Sequence, residues 1–192
     1  PRPISPALND GGVASPAFSP DGRWVVYVYS DGKTDLLALV DAQGGGWPIQ
    51  LRSGADFYMQ PAWSPDGKLL AWVEWDHPNM PWDGARVCLA ELEGTPPRIA
   101  KVTVLAGDAQ TPVQQPLFSP DGRWLSYIEE NGEWPDLVLH SLTGVERRVL
   151  LRQVPVLAEL GSVLQRPLED QCERSPGEPT AEHAERLDRD RR

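Results

Sequence analysis

Three near-copies of one thirteen-residue stretch constrain this chain more than any other property. They read PAFSPDGRWVVYV at 16–28, PAWSPDGKLLAWV at 61–73 and PLFSPDGRWLSYI at 116–128. Each runs through a proline, an aromatic residue, Ser-Pro-Asp-Gly, a basic residue and an apolar segment. Ser19, Ser64 and Ser119 set the spacing at 45 and 55 residues. A turn sequence repeated at that interval marks a unit that buries its faces only against its neighbours.

Each copy has a mechanical reading. Proline presets φ at the second position of a tight turn, and the glycine accepts positive φ. The apolar segment that follows reads as a strand. In the first copy Trp24, Val26 and Val28 share one face and Val25, Tyr27 and Tyr29 the other, as in a strand sandwiched between two sheets. Third strands are expected at Asp35–Val40, Arg86–Leu92 and Leu137–Leu142, and outer strands at Pro48–Arg52, Arg98–Leu105 and Glu146–Arg152. Four strands in about 45 residues is the period of a β-propeller blade. An antiparallel sandwich shares the short, regular strands but does not require one turn sequence three times. The expected fold is therefore all-β: a partial β-propeller over 1–151, with about three four-stranded blades near 14–52, 58–105 and 113–151. Residues 152–192 lack the repeat and are rich in Arg, Asp and Glu, and they read as an irregular or weakly helical tail.

Composition fits this. Twenty prolines and 17 glycines among 192 residues, with eight tryptophans, suit short strands and many turns. The formal net charge of −10 argues against nucleic acid or an anionic membrane as the main partner. No apolar run approaches the ~20 residues of a membrane span. Cys88 lies in an apolar run and Cys172 in the polar tail. Two free thiols are favoured over a bridge, which does not fix the compartment; the cytoplasm is favoured over the periplasm. Closed propellers have four to eight blades, so three blades leave two terminal faces uncovered. Self-association through those faces is one expectation. An array unstable on its own is a second, and a piece of a longer chain is a third, which also suits a start at Pro1-Arg2-Pro3 instead of Met.

The copies are unequal. The second carries about ten extra residues between its second and third strands, Glu74-Trp75-Asp76-His77-Pro78-Asn79-Met80-Pro81-Trp82-Asp83-Gly84. Long loops on repeat scaffolds are where function concentrates. As a recognition loop, Trp75 and Trp82 supply flat contact surfaces, while Glu74, Asp76 and Asp83 attract a cationic group; His77 and Asn79 complete the candidate contact set. The competing reading packs the tryptophans on the blade and uses the carboxylates to cap turns. A metal site is disfavoured, because one His with two Asp lacks the four-ligand spacing of structural zinc. No metal or cofactor is expected.

No Gly-x-Ser-x-Gly elbow occurs in the 192 residues, so no α/β-hydrolase nucleophile is present. Ser19, Ser64 and Ser119, with Asp21, Asp66 and Asp121, are repetitive, which points to structure. His140 alternates with leucines on an expected strand and reads as a blade residue. Gly44-Gly45-Gly46 lacks the lysine and helix of a phosphate loop.

The Ser-Pro-Asp-Gly repeats resemble the blades shared by TolB-type proteins and the prolyl oligopeptidase family of serine peptidases. The segment Trp75–Gly84 is similar to that of the bacterial dipeptidyl-aminopeptidase and acylaminoacyl-peptidase-like members. The resemblance covers roughly residues 14–150. It implies a propeller over the mouth of an α/β-hydrolase domain that carries a Ser-Asp-His triad and acts on peptides. No position here matches a triad residue. The favoured expectation is a non-catalytic segment that gates a peptide substrate for a missing hydrolase domain. The alternatives are a stand-alone TolB-type module binding a protein partner and a truncated product without activity.

Overall fold

The computed structural model describes residues 3–4, 11–132 and 134–151. They belong to a compact unit spanning Pro1–Gln153. The expected tail, with Cys172, lies outside the described residues.

Among the described residues, twelve strands form three four-stranded antiparallel sheets, each a simple meander. The first holds β1 (Gly12–Phe18), β2 (Trp24–Ser30), β3 (Asp35–Asp41) and β4 (Ile49–Arg52). The second holds β5 (Phe57–Trp63), β6 (Leu69–Trp75), β7 (Arg86–Glu93) and β8 (Arg98–Ala106). The third holds β9 (Val113–Phe118), β10 (Trp124–Glu130), β11 (Pro135–Ser141) and β12 (Arg147–Leu151). The architecture is the all-β, three-blade partial propeller expected from the repeat. The innermost strands are neighbours, β1 against β5 and β5 against β9.

The Ser-Pro-Asp-Gly turns share one hydrogen-bond plan. In the first, the Gly22 N–H donates to the Ser19 carbonyl (2.8 Å) and closes the turn. The Ser19 hydroxyl donates to Asp21 Oδ1 (2.5 Å) and accepts the Trp24 N–H (2.9 Å), while the same carboxylate accepts the Arg23 N–H (3.0 Å). The serine thus ties the turn to the first residue of the next strand. Ser64 with Asp66, and Ser119 with Asp121, repeat the plan. Gly22, Gly67 and Gly122 sit at φ of 70°, 71° and 69°, a conformation that costs a side chain free energy and glycine none.

A second repeated device was not read from the sequence. Ser15, Gln60 and Gln115, each just before the proline of its copy, have positive φ of 50°, 53° and 57°. Non-glycine residues seldom adopt this conformation. Each lies in a β-bulge of the inner strand, where the ladder skips between Ala14 and Ala17 and between Met59 and Ala62, and against Ser126–Ile128 in the third blade. Bulges bend and twist a strand, so each blade turns its inner edge by the same means.

The blade faces make the core. Trp24, Val26, Val28, Leu37 and Leu39 of the first blade bury against Tyr58, Leu70, Trp72, Cys88 and Ala90 of the second. Ala71, Val73 and Val87, on the second blade's other face, bury against Val113, Phe118, Leu125, Tyr127 and Val138 of the third. Alternate residues of β6 therefore serve opposite joints, as period-2 geometry requires. Cys88 is a buried free thiol in the first joint, and burial pushes its pKa up to about 12. It behaves as a small apolar residue.

Candidate recognition loop of the second blade

The long loop runs from the end of β6 to the start of β7, where the sequence placed it, and it forms turns without a helix. Its first half is tied inward. The Trp75 ring stacks on Phe57 (5.2 Å between centroids), and His77 meets the same Phe57 edge-on (4.8 Å). The Asp56 N–H donates to Asp76 Oδ1 (3.1 Å), and the His77 N–H donates to Asp56 Oδ2 (2.9 Å), so the loop is laced to the entry of β5. The Asn79 side-chain amide donates to the Ala109 carbonyl (2.8 Å). Gly84 presses backbone to backbone on the same segment: a Cβ there would lie 2.3 Å from the Ala109 carbonyl carbon. Only glycine allows that approach.

The carboxylates divide three ways. Glu74 is buried and accepts the Trp72 indole N–H (2.8 Å). Arg52 and Arg86 flank it, at 3.7 and 3.6 Å, and Arg52 comes from the first blade. Asp76 accepts Arg86 Nη2 at 2.7 Å, and this hydrogen bond holds its carboxyl below the usual range. Asp83 accepts the Met80 N–H (2.9 Å), while its own N–H donates back to the Met80 carbonyl (2.9 Å). Glu74 and Asp76 thus already hold a cationic group, the Arg86 guanidinium, and Asp83 caps a turn.

Five loop residues are exposed: His77, Pro78, Met80, Trp82 and Asp83. Trp82 is 64% exposed, and Met80 is exposed beside it. A small pocket of about 130 Å³ is lined by Asp76, His77, Asn79, Arg86 and Asp108, among others. Of the seven residues singled out from sequence, the structure gathers Asp76, His77 and Asn79 at this pocket with Trp75 as its wall, turns Trp82 to solvent, uses Asp83 within the loop and buries Glu74 inside the blade. Asp56, Phe57, Arg86 and Asp108 were missed. They come from other strands and connections, so no local motif announces them.

The other candidates have structural places. The three repeated serines sit in their turns as described. His140, on β11 opposite Leu125, is half-buried with Nδ1 lacking a partner, and burial lowers its pKa. Among the described residues, no three His, Cys, Asp or Glu side chains converge on a metal-sized site.

No protein-family model matches the sequence. The chain is 30% identical over 127 residues to the uncharacterized peptidase YuxL of Bacillus subtilis (strain 168), a match covering 63% of this chain and 18% of that protein. Its fold matches a puromycin-hydrolyzing peptidase of Mycobacterium tuberculosis with a TM-score of 0.69 at 28% identity, covering 78% of this chain and 25% of the other. The chain resembles the propeller of prolyl oligopeptidase-family peptidases. TolB of Acinetobacter baumannii shares the fold alone (TM-score 0.52, 19% identity, 74% of this chain and 33% of that one). The chain thus spans about a quarter of the peptidase structure that it matches and less of the curated relative.

Proposed function

We propose that this chain is a non-catalytic propeller segment that restricts and orients peptide access for a serine peptidase whose nucleophile lies outside these 192 residues. The observation that carries this reading is the match of these blades to one quarter of a puromycin-hydrolyzing peptidase. The sequence contains no nucleophile elbow, and the repeated serines are held by their turns. The second-blade loop is the contact rim. Trp82 and Met80 offer apolar area, and Asp76, His77 and Asn79 line a pocket of the same loop. Because Arg86 already pairs with Asp76 and Glu74, the rim favours peptide backbone and apolar side chains over a lone cation.

Titration with short peptides, comparing the tryptophan fluorescence of wild type and W82F, tests the rim. The expected result is a saturable change in wild type that Trp82→Phe removes. Absence of saturable binding by any short peptide overturns the rim assignment.

A further inference from the structure

The third blade carries Asn131-Gly132 in the turn between β10 and β11, where the first blade has Asp31-Gly32 between β2 and β3. The two turns have equal length: Ser30 pairs with Asp35 across one, and Glu130 with Pro135 across the other. Their hydrogen bonds differ. In the first blade the Asp31 carboxylate accepts the Lys33 and Thr34 N–H groups (2.9 Å each), and the Gly32 N–H donates to the Ser30 hydroxyl (3.3 Å). In the third blade the Asn131 side-chain amide reaches back and donates to Glu129. Among the described residues, neither the Gly132 N–H nor the Asn131 side-chain carbonyl has a partner.

This leaves a nucleophile and an electrophile uncommitted side by side. The backbone nitrogen that follows an asparagine can attack its side-chain carbonyl, and glycine, with no Cβ and a permissive backbone, hinders that attack least. Asn131 and Gly132 are both exposed, and Gly132 sits at a φ of 139°. Asn79 is the contrast within the same chain. Its side-chain amide donates to the Ala109 carbonyl (2.8 Å), and the residue after it is Met80, whose N–H is held by Asp83 (2.9 Å).

We propose that Asn131 is a site of self-modification, deamidating through Gly132 and thereby loosening the third blade. The Gly132 nitrogen bonds to Asn131 Cγ, the Cγ–Nδ2 bond breaks, and ammonia leaves with the proton that the nitrogen gives up. Water then opens the succinimide at either carbonyl, giving aspartate or isoaspartate. Both products lose the NH2 group that donates to Glu129 and gain a carboxylate. Glu129 is 7% exposed, and Arg147 donates both to it (2.5 Å) and to the Tyr127 hydroxyl (3.3 Å) in the second joint. A new negative charge beside a buried carboxylate that has lost a donor disfavours the folded joint. The first blade carries aspartate at this place without that conflict, because Tyr29 stands where the third blade has Glu129. This inference rests on the turn and not on the peptidase reading.

Ageing the full chain in warm, mildly alkaline buffer, followed by peptide mapping with isoaspartyl methyltransferase labelling, tests it. Isoaspartate is expected to accumulate at Asn131 several-fold faster than at Asn79. N131Q, which keeps an amide but disfavours the ring, is expected to abolish labelling of that peptide. N131D, which carries one product from the start, is expected to melt below wild type and N131Q, and aged wild type is expected to shift in the same direction as product accumulates. Absence of isoaspartate at Asn131, or equal accumulation at Asn79, overturns the site. Aged wild type that melts like fresh protein despite accumulated product overturns the coupling to Glu129, and this holds even if N131D fails to fold.

Discussion

The Ser-Pro-Asp-Gly turns and the long loop of the second blade are both polar, proline-containing connections, yet they place their groups differently. In the turns, the serine and aspartate side chains satisfy the turn and the next strand, three times over. The loop begins in the same way, with Asp76 and His77 laced to Asp56, and then departs from it by turning Trp82 to solvent. Repetition marks groups whose partners are internal. Departure from repetition marks where a side chain is left for something else.

The largest expected effect separates two tryptophans ten residues apart. Trp72 is fully buried in the first joint and donates to buried Glu74. Trp72→Ala should cost about 3–5 kcal/mol, the range for large buried aromatics. Trp82→Ala should stay within about 0.5 kcal/mol, as for other exposed positions. Urea denaturation of both variants makes the measurement, and equal losses would erase the distinction between blade and rim.

A smaller effect is expected in the turns. Ser64→Ala removes a buried hydroxyl that donates to Asp66 and accepts the Leu69 N–H. Leaving that N–H without its acceptor should cost about 1–3 kcal/mol. Ser119→Ala, whose turn is more exposed, should cost less. A reversed order in thermal melts would argue that the turns are not equivalent supports.

The smallest effect is a pH response. The Ser19, Ser64 and Ser119 hydroxyls and the following backbone N–H groups lower the pKa of Asp21, Asp66 and Asp121, the last to about 2. Carboxyls lowered in the folded state add stability above their unfolded value, near 4, and that stability is lost as pH falls toward 2. Asp76 is lowered mainly by Arg86 instead. Salt should therefore weaken the contribution of Asp76 and leave that of the turns. Acid titration of D76N and D66N at low and high salt checks the contrast.

Much of the fold was legible because its causes are local. The Pro-Asp-Gly signal, the basic residue and the alternating apolar run fixed the turn, the strand and its two faces, and Trp24 and Val25 lie on opposite sides as read. The bulges at Ser15, Gln60 and Gln115 escaped notice, because their backbone conformation has no compositional mark beyond a following proline. The loop was legible as a location but not as an arrangement. Glu74 looked available for a ligand in sequence, whereas the structure flanks it with Arg52 and Arg86 from two other strands. Such pairings depend on how strands stack, which periodicity along one strand does not encode.

The central claim is that the repeated serines build turns and do no chemistry. Incubating the chain with a serine-directed fluorophosphonate probe, alongside chromogenic aminoacyl and peptidyl substrates, tests it most directly. The account predicts neither labelling nor turnover. Stoichiometric labelling of Ser19, Ser64 or Ser119, with turnover that the probe abolishes, would contradict it.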